Sequence, residues 1–133
     1  MSQQSYVVVK NEWDIVAARQ LGRDTAKKLG FGSVDQARIT TAISELARNI
    51  YLYAYEGEIH IEVVSKESKM GVKITSKDKG PGIQDIRSVM QNGFSSSGGL
   101  GAGLPGVKRL MDEFEIDSNE QFGTLITAVK WLR

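Results

Sequence analysis

The chain has 133 residues, enough for one domain that buries roughly two thirds of its unfolded surface, with no room for a second catalytic or transducing domain. Seventeen Lys and Arg against sixteen Asp and Glu leave a formal net charge of +1, so no general basic field exists to hold nucleic acid or an anionic membrane. With no cysteine there are no disulfides, thiol nucleophiles or thiolate metal sites, and a single histidine does not make a zinc site.

The opening residues, Met1 to Ser5, lack the charged start and apolar stretch of a signal peptide, and no apolar run approaches the ~20 residues of a membrane span. The expectation is a single-domain cytoplasmic protein whose partner is a protein or small molecule, with neither nucleic acid nor membrane as ligand. No internal repeat is apparent.

Tyr6 to Lys10 is a short β-branched run and reads as the first strand. Asn11 then caps a helix through Leu29, stopped by Gly30 and Gly32. Its inward side takes Ile15, Ala18, Leu21, Gly22, Ala26 and Leu29 at helical spacing, while Arg19, Arg23, Lys27 and Lys28 face water. Trp13, at the helix entry, is expected in the core. Ser33 followed by Gln36 has capping-box spacing and opens the longest helix, which runs to about Ala54. Ile39, Ala42, Ile43, Leu46, Ile50 and Tyr53 form its buried stripe. Thr41, Glu45, Arg48, Asn49 and Leu52 occupy an adjacent face, so Glu45 and Asn49 project side by side.

Glu58 to Val64 alternates, with Ile59, Ile61 and Val63 inward and His60 outward as a solvated strand residue. A polar turn from Ser65 to Met70 leads to a paired strand, Gly71 to Ser76, which delivers Asp78 at its end. Gln84 to Met90 reads as a short helix, and residues 91–103 as a long loop, a candidate lid. Leu104 to Met111 is a helix with Pro105 near its first turn. Phe114 to Ser118 and Thr124 to Trp131 then read as a hairpin. This order gives an α+β, two-layer sandwich: one mixed, mostly antiparallel sheet with helices on one face.

Eight of the fourteen glycines fall between Gly80 and Gly106, six of them in the runs Asp78-Lys79-Gly80-Pro81-Gly82-Ile83 and Gly98-Gly99-Leu100-Gly101-Ala102-Gly103-Leu104. Glycine lets backbone N–H groups converge on one target. The second run opens a helix, whose free amides and positive dipole end make a phosphate seat. Taken one at a time these features stay ambiguous. Ser95 to Gly99 could be a plain surface loop, Glu45 and Asn49 a solvated helix face beside Arg48, and Asp78 a simple turn former.

Four pieces nevertheless stand in one order: Glu45-x-x-x-Asn49 on a helix, Asp78-x-Gly80-x-Gly82 after a strand, Gly99-x-Gly101-x-Gly103 at a helix start, and Gly123-Thr124 entering the last strand. This resembles the GHKL (Bergerat) ATP-binding family, which includes gyrase and histidine kinases. Within it the chain is most similar to the small serine/threonine switch kinases of the bacterial stressosome. That likeness covers nearly the whole chain and is densest in Trp13–Leu29, Val34–Tyr53 and Gly93–Glu113.

The resemblance implies ATP and Mg2+ as cofactors and a role for each box. Asp78 would accept a hydrogen bond from the adenine amino group, with Gly80, Gly82 and Ile83 closing on the base and Thr124 holding the same edge. Asn49 would coordinate Mg2+ through its amide oxygen. Ser97, Gly98, Gly99, Leu100, Gly101, Ala102, Gly103 and Leu104 would cradle the phosphates, and Glu45 would be the catalytic base. Related enzymes often carry Lys or His a turn after the Asn, where this chain has Leu52 and Tyr53; Arg48, Lys77 and Lys79 are the candidate replacements.

As partners the resemblance implies STAS-domain scaffold proteins of the RsbS and RsbR type as phosphorylation targets, and a phosphatase of the RsbU type as the protein activated on release. Exposed apolar positions for such partners are sought around Trp13, Phe31 and Phe94. Two other readings share the boxes. One is an anti-sigma-factor kinase that also binds a sigma factor; the other is an ATP-gated interaction module without turnover.

Overall fold

Asn11 starts the helical layer with a complete capping box: its side chain accepts from the Trp13 and Asp14 amides at 2.9 and 3.2 Å, and the Asp14 carboxylate accepts from Asn11 N–H at 3.1 Å. The computed structural model describes residues 4–54, 56–80, 103–119, 121 and 123–133. Helix α1 spans Glu12–Leu29 and ends at Gly30 in the left-handed conformation. The Phe31 amide bonds back to the Ala26 carbonyl at 3.0 Å, and this closure turns Phe31 into the core at 3% exposure. Phe31 is therefore unavailable to a partner.

Helix α2 spans Ser33–Asn49, but the expected Ser33–Gln36 capping box does not form. Gly32 is the N-cap, and the Gln36 amide group instead donates to the Phe31 carbonyl at 2.8 Å. The α-helix also stops at Asn49 rather than Ala54, and Ile50–Ala54 continues as one π-helical turn. The wider turn shifts the phase of the side chains, so Tyr53 leaves the predicted buried stripe and stands 50% exposed. Trp13 departs further from expectation, at 80% exposure. The buried line of α1 is Ile15, Ala18, Gly22 and Ala26, and a residue two before Ile15 lies on the opposite side of the helix.

The strands are β1 (Gln4–Val9), β2 (Gly57–Lys66), β3 (Lys69–Asp78), β4 (Glu113–Asn119) and β5 (Gly123–Trp131), with helix α3 (Gly103–Leu110) before β4. They form one sheet in the order β1-β2-β3-β5-β4. Among the described residues every pairing is antiparallel, where a mixed sheet was expected. The last strand, β5, enters between β3 and β4 and keeps those two like-directed strands apart. Alternation puts Val9, Ile59, Ile61, Val72, Ile74, Ile126 and Ala128 on the helix side, against Ala18, Ile39, Ile43 and Leu46. On the other face His60 stacks on Tyr6 at 5.0 Å and meets Glu58 at 2.7 Å, away from the helix layer as expected. No helix among the described residues is long and apolar enough to cross a membrane. The expected helix at 84–90 and the lid at 91–103, apart from Gly103, lie outside the described residues.

Candidate active site

Strand β3 buries Val72, Ile74 and Ser76 on its inward face, and two residues on the same alternation sends Asp78 toward the helix layer at the strand's end. Its Oδ1 accepts the Gly80 N–H at 2.9 Å. Burial raises the Asp78 pKa above its ordinary value, opposed by the amide hydrogen bonds from Gly80 and Thr124. A carboxylate held this way keeps acceptor capacity for a further donor.

Three glycines let the chain pack closely around it. Gly123, at φ +95°, crosses the main chain of Asp78 and Lys79 so closely that a Cβ there would meet Lys79 Cα at 2.8 Å. A Cβ on Gly80 would stand 2.8 Å from Ala54 Cβ, and one on Gly57 2.8 Å from Ile50 Cγ2 and 2.9 Å from Asp78 Cβ. Ile50 and Ala54 are the two ends of the π turn, so the strand end bearing Asp78 and the helix end bearing Asn49 share one corner of the molecule. A cavity of about 390 Å³ opens at the strand end of this corner, lined by Lys77, Asp78, Lys79, Gln121, Thr124 and Leu125. Thr124 is buried, and its hydroxyl lies 2.8 Å from that of Ser118, which also reaches the Gly123 carbonyl at 3.0 Å.

On the last turn of α2, Glu45 is only 2% exposed and pairs with Arg48 at 3.6 Å. Asn49 closes the helix one turn later. Arg48 also borders a groove of about 690 Å³ between α1 and the π turn, with Trp13, Val16, Arg19 and Leu52 on its walls. Helix α3 packs on α2 and begins at Gly103, followed by buried Leu104 and Pro105.

The structure thus brings Lys77, Asp78, Lys79, Gly80 and Thr124 to one corner, and sets Glu45, Arg48 and Asn49 on the helix end that abuts it. Gly103 and Leu104 head a helix packed on that same α2. Gly82, Ile83, Ser97, Gly98, Gly99, Leu100, Gly101 and Ala102 lie outside the described residues. Sequence reasoning missed Ser118 and Gln121. Ser118 was findable, because it stands opposite Thr124 in the β4–β5 register; Gln121 carries no comparable signal. Among the described residues no group of three or more His, Cys, Asp or Glu could hold a metal ion. Asn49 supplies an amide oxygen donor that suits Mg2+, which takes few protein ligands and fills its shell with water and phosphate oxygens.

Residues 9–130 match the model of the histidine kinase-like ATPase domain family. Over all 133 residues the chain is 69% identical to the serine/threonine-protein kinase RsbT of Bacillus subtilis, whose whole length it covers. It is 37% identical over 101 residues to the anti-sigma F factor of Bacillus cytotoxicus, spanning 71% of this chain and 68% of that one. Among solved structures, the RsbU and RsbW domains of a Mycobacterium tuberculosis protein superpose with a TM-score of 0.65 at 18% identity, covering 100% of this chain and 33% of that one; this likeness speaks for the fold alone. With Asp78, Gly80, Gly123 and Thr124 gathered at one corner of an antiparallel sheet, and a likeness that runs the length of the chain, the protein belongs to the histidine kinase-like ATPase domain family, as one of its serine/threonine protein kinases.

Proposed function

We propose that the protein transfers the γ-phosphoryl group of Mg-ATP to a serine or threonine hydroxyl of STAS-domain proteins of the RsbS and RsbR type. On release from them it binds and activates a phosphatase of the RsbU type, in the cytoplasm. The observation that carries the nucleotide half is the Asp78 corner: a partly buried carboxylate lining a cavity, on a strand end against which Gly80 and Gly123 let the neighbouring chain pack closely. Such a group accepts a hydrogen bond from the adenine amino group and rejects guanine, which presents a carbonyl at that position. Thr124, already oriented by Ser118, holds the same edge of the base.

Phosphoryl transfer is mostly positioning and charge stabilisation. Asn49 would hold Mg2+ through its amide oxygen, and the ion, when bound, supplies charge neutralisation on the phosphate oxygens. Residues 97–104 donate backbone N–H groups to the phosphates. Glu45 takes the proton from the incoming hydroxyl, and its burial keeps competing water from that step. Lys77 and Lys79 stand at the purine end, whereas Arg48, beside Glu45, is the cation at the transfer end and replaces the Lys or His that Leu52 and Tyr53 displace. Trp13, Val16 and Leu52, all exposed beside Arg48, suit a protein acceptor better than a small molecule.

The 37% likeness to an anti-sigma F factor favours a second reading, a kinase that also holds a sigma factor. Mg-ATP labelling of a STAS-domain acceptor, together with pull-down of a sigma factor, separates the two. Labelling without sigma capture supports the first reading. Sigma capture supports the second, and absence of labelling with any acceptor rejects both.

A further inference from the structure

Lys130 lies on the inward face of β5, only 8% exposed, where Ile126 and Ala128 on the same alternation are apolar. Burying an ammonium is costly unless it is fully partnered. Here its Nζ donates to the Leu110 carbonyl at 2.8 Å and lies 3.7 Å from Asp112 and 3.9 Å from Asp35. Asp112 is fixed in turn by the Trp131 amide at 2.7 Å and the Arg133 guanidinium at 2.8 Å.

These partners belong to different elements. Leu110 is the last residue of α3, and its carbonyl is one of the acceptors that a helix end leaves unmet. Asp35 sits in the first turn of α2. So α2 starts at the Lys130 amine, α3 finishes there, and the two helices pack on one another. At ~1.5 Å per residue, the head of α3 lies roughly 10 Å from the clamp along its axis, and Glu45 roughly 15 Å along α2.

We propose that Lys130 is a positioning residue: it pins the far ends of the two helices whose near ends carry the Gly103–Leu104 amides and the Glu45–Asn49 pair. Pinning both ends to one amine fixes how far the phosphate seat stands from the transfer residues. This rests on the kinase reading above. Asp78, at the end of β3, is outside the clamp, so purine recognition does not depend on it.

The test uses the full chain with Lys130→Met, Lys130→Arg and Asp35→Asn, measuring ATP and adenosine affinity by calorimetry and the KM for ATP on a STAS-domain acceptor. Lys130→Met keeps the hydrocarbon stem and loses the charge. It is expected to weaken ATP about tenfold and raise its KM by the same factor, with adenosine affinity changed less than about twofold. Lys130→Arg restores most of the loss. If Lys130→Met does not fold, Asp35→Asn, at a more exposed position, carries the test, with the same selective loss expected at about threefold. Equal losses for ATP and adenosine, or full ATP affinity in a folded variant, overturn the inference. Wild-type protein that binds no ATP at all overturns the kinase reading and this inference with it.

Discussion

Gly123 lies across the backbone of Asp78, near enough that a Cβ on it would come within 2.9 Å of the Asp78 carbonyl carbon. The carboxylate proposed to recognise the purine is therefore seated by a residue forty-five positions later in the chain, and the Gly123-Thr124 pair packs directly against the strand end that bears it. Gly123→Ala should destabilise the fold by about 2 kcal/mol or more, combining the left-handed backbone penalty with the backbone clash. Chemical denaturation checks this, with Gly32→Ala as control: Gly32 has an ordinary negative φ and nothing within 4 Å of an added Cβ.

Asp78→Asn is expected to abolish ATP binding by calorimetry while leaving the unliganded fold at least as stable at pH 7. Burial raises the folded-state pKa of Asp78, so the native state holds the proton more readily than the unfolded chain. Stability from this group therefore falls as pH rises from about 4 through the raised value, and the full cost is present at neutrality. The variant loses that cost. Thermal midpoints measured from pH 7 down to about 4 should show its advantage shrinking toward acid.

Glu45→Ala should retain ATP affinity, yet lose phosphoryl transfer to the acceptor by two or more orders of magnitude, the scale of a positioned general base. Single-turnover labelling at saturating ATP separates this from a binding defect. Transfer persisting near the wild-type rate would remove Glu45 from the mechanism.

Asp112 carries the opposite pH signature. Burial pushes its pKa up, but the Trp131 amide, the Arg133 hydrogen bond and the charges of Lys130 and Arg133 outweigh this and hold it below the ordinary value. Its contribution is complete above the unfolded value and is lost as pH falls through the folded one. Asp112→Asn should thus lower the thermal midpoint at pH 7 and converge on wild type as the pH falls through the lowered folded-state value.

The β2–β3 turn offers a change remote from the site. Glu67 and Ser68 both adopt positive φ, at 51° and 71°, the geometry that favours glycine in a two-residue hairpin. Ser68→Gly should stabilise the protein by up to about 1 kcal/mol in denaturant unfolding. Kinase activity should be unchanged.

Local chemistry made much of this fold legible. Asn11 announced its cap, the alternation from Ile59 to Val63 its strand, and the run from Gly71 to Ser76 delivered Asp78 at a strand end. The failures arose where distant residues decided the outcome. Ser33 lost the cap to Gly32 because Gln36 found the Phe31 carbonyl, and the π turn that displaced Tyr53 is packed against Gly57 and Gly80, outside any helical window. Trp13 was assigned by hydrophobicity where helical phase ruled otherwise. Lys130 gave no signal, since only tertiary packing shows that a lysine near the end of a strand is buried among acids and a helix terminus.

The strand order has a consequence for folding. β5 is inserted between β3 and β4 and carries both Gly123 and Thr124. The β2–β3 hairpin can close locally, but the corner around Asp78 is complete only once β5 has paired with β3. The Asp78 carboxylate is thus seated by a pairing between strands far apart in sequence, the kind of contact whose loop-closure cost makes it form late.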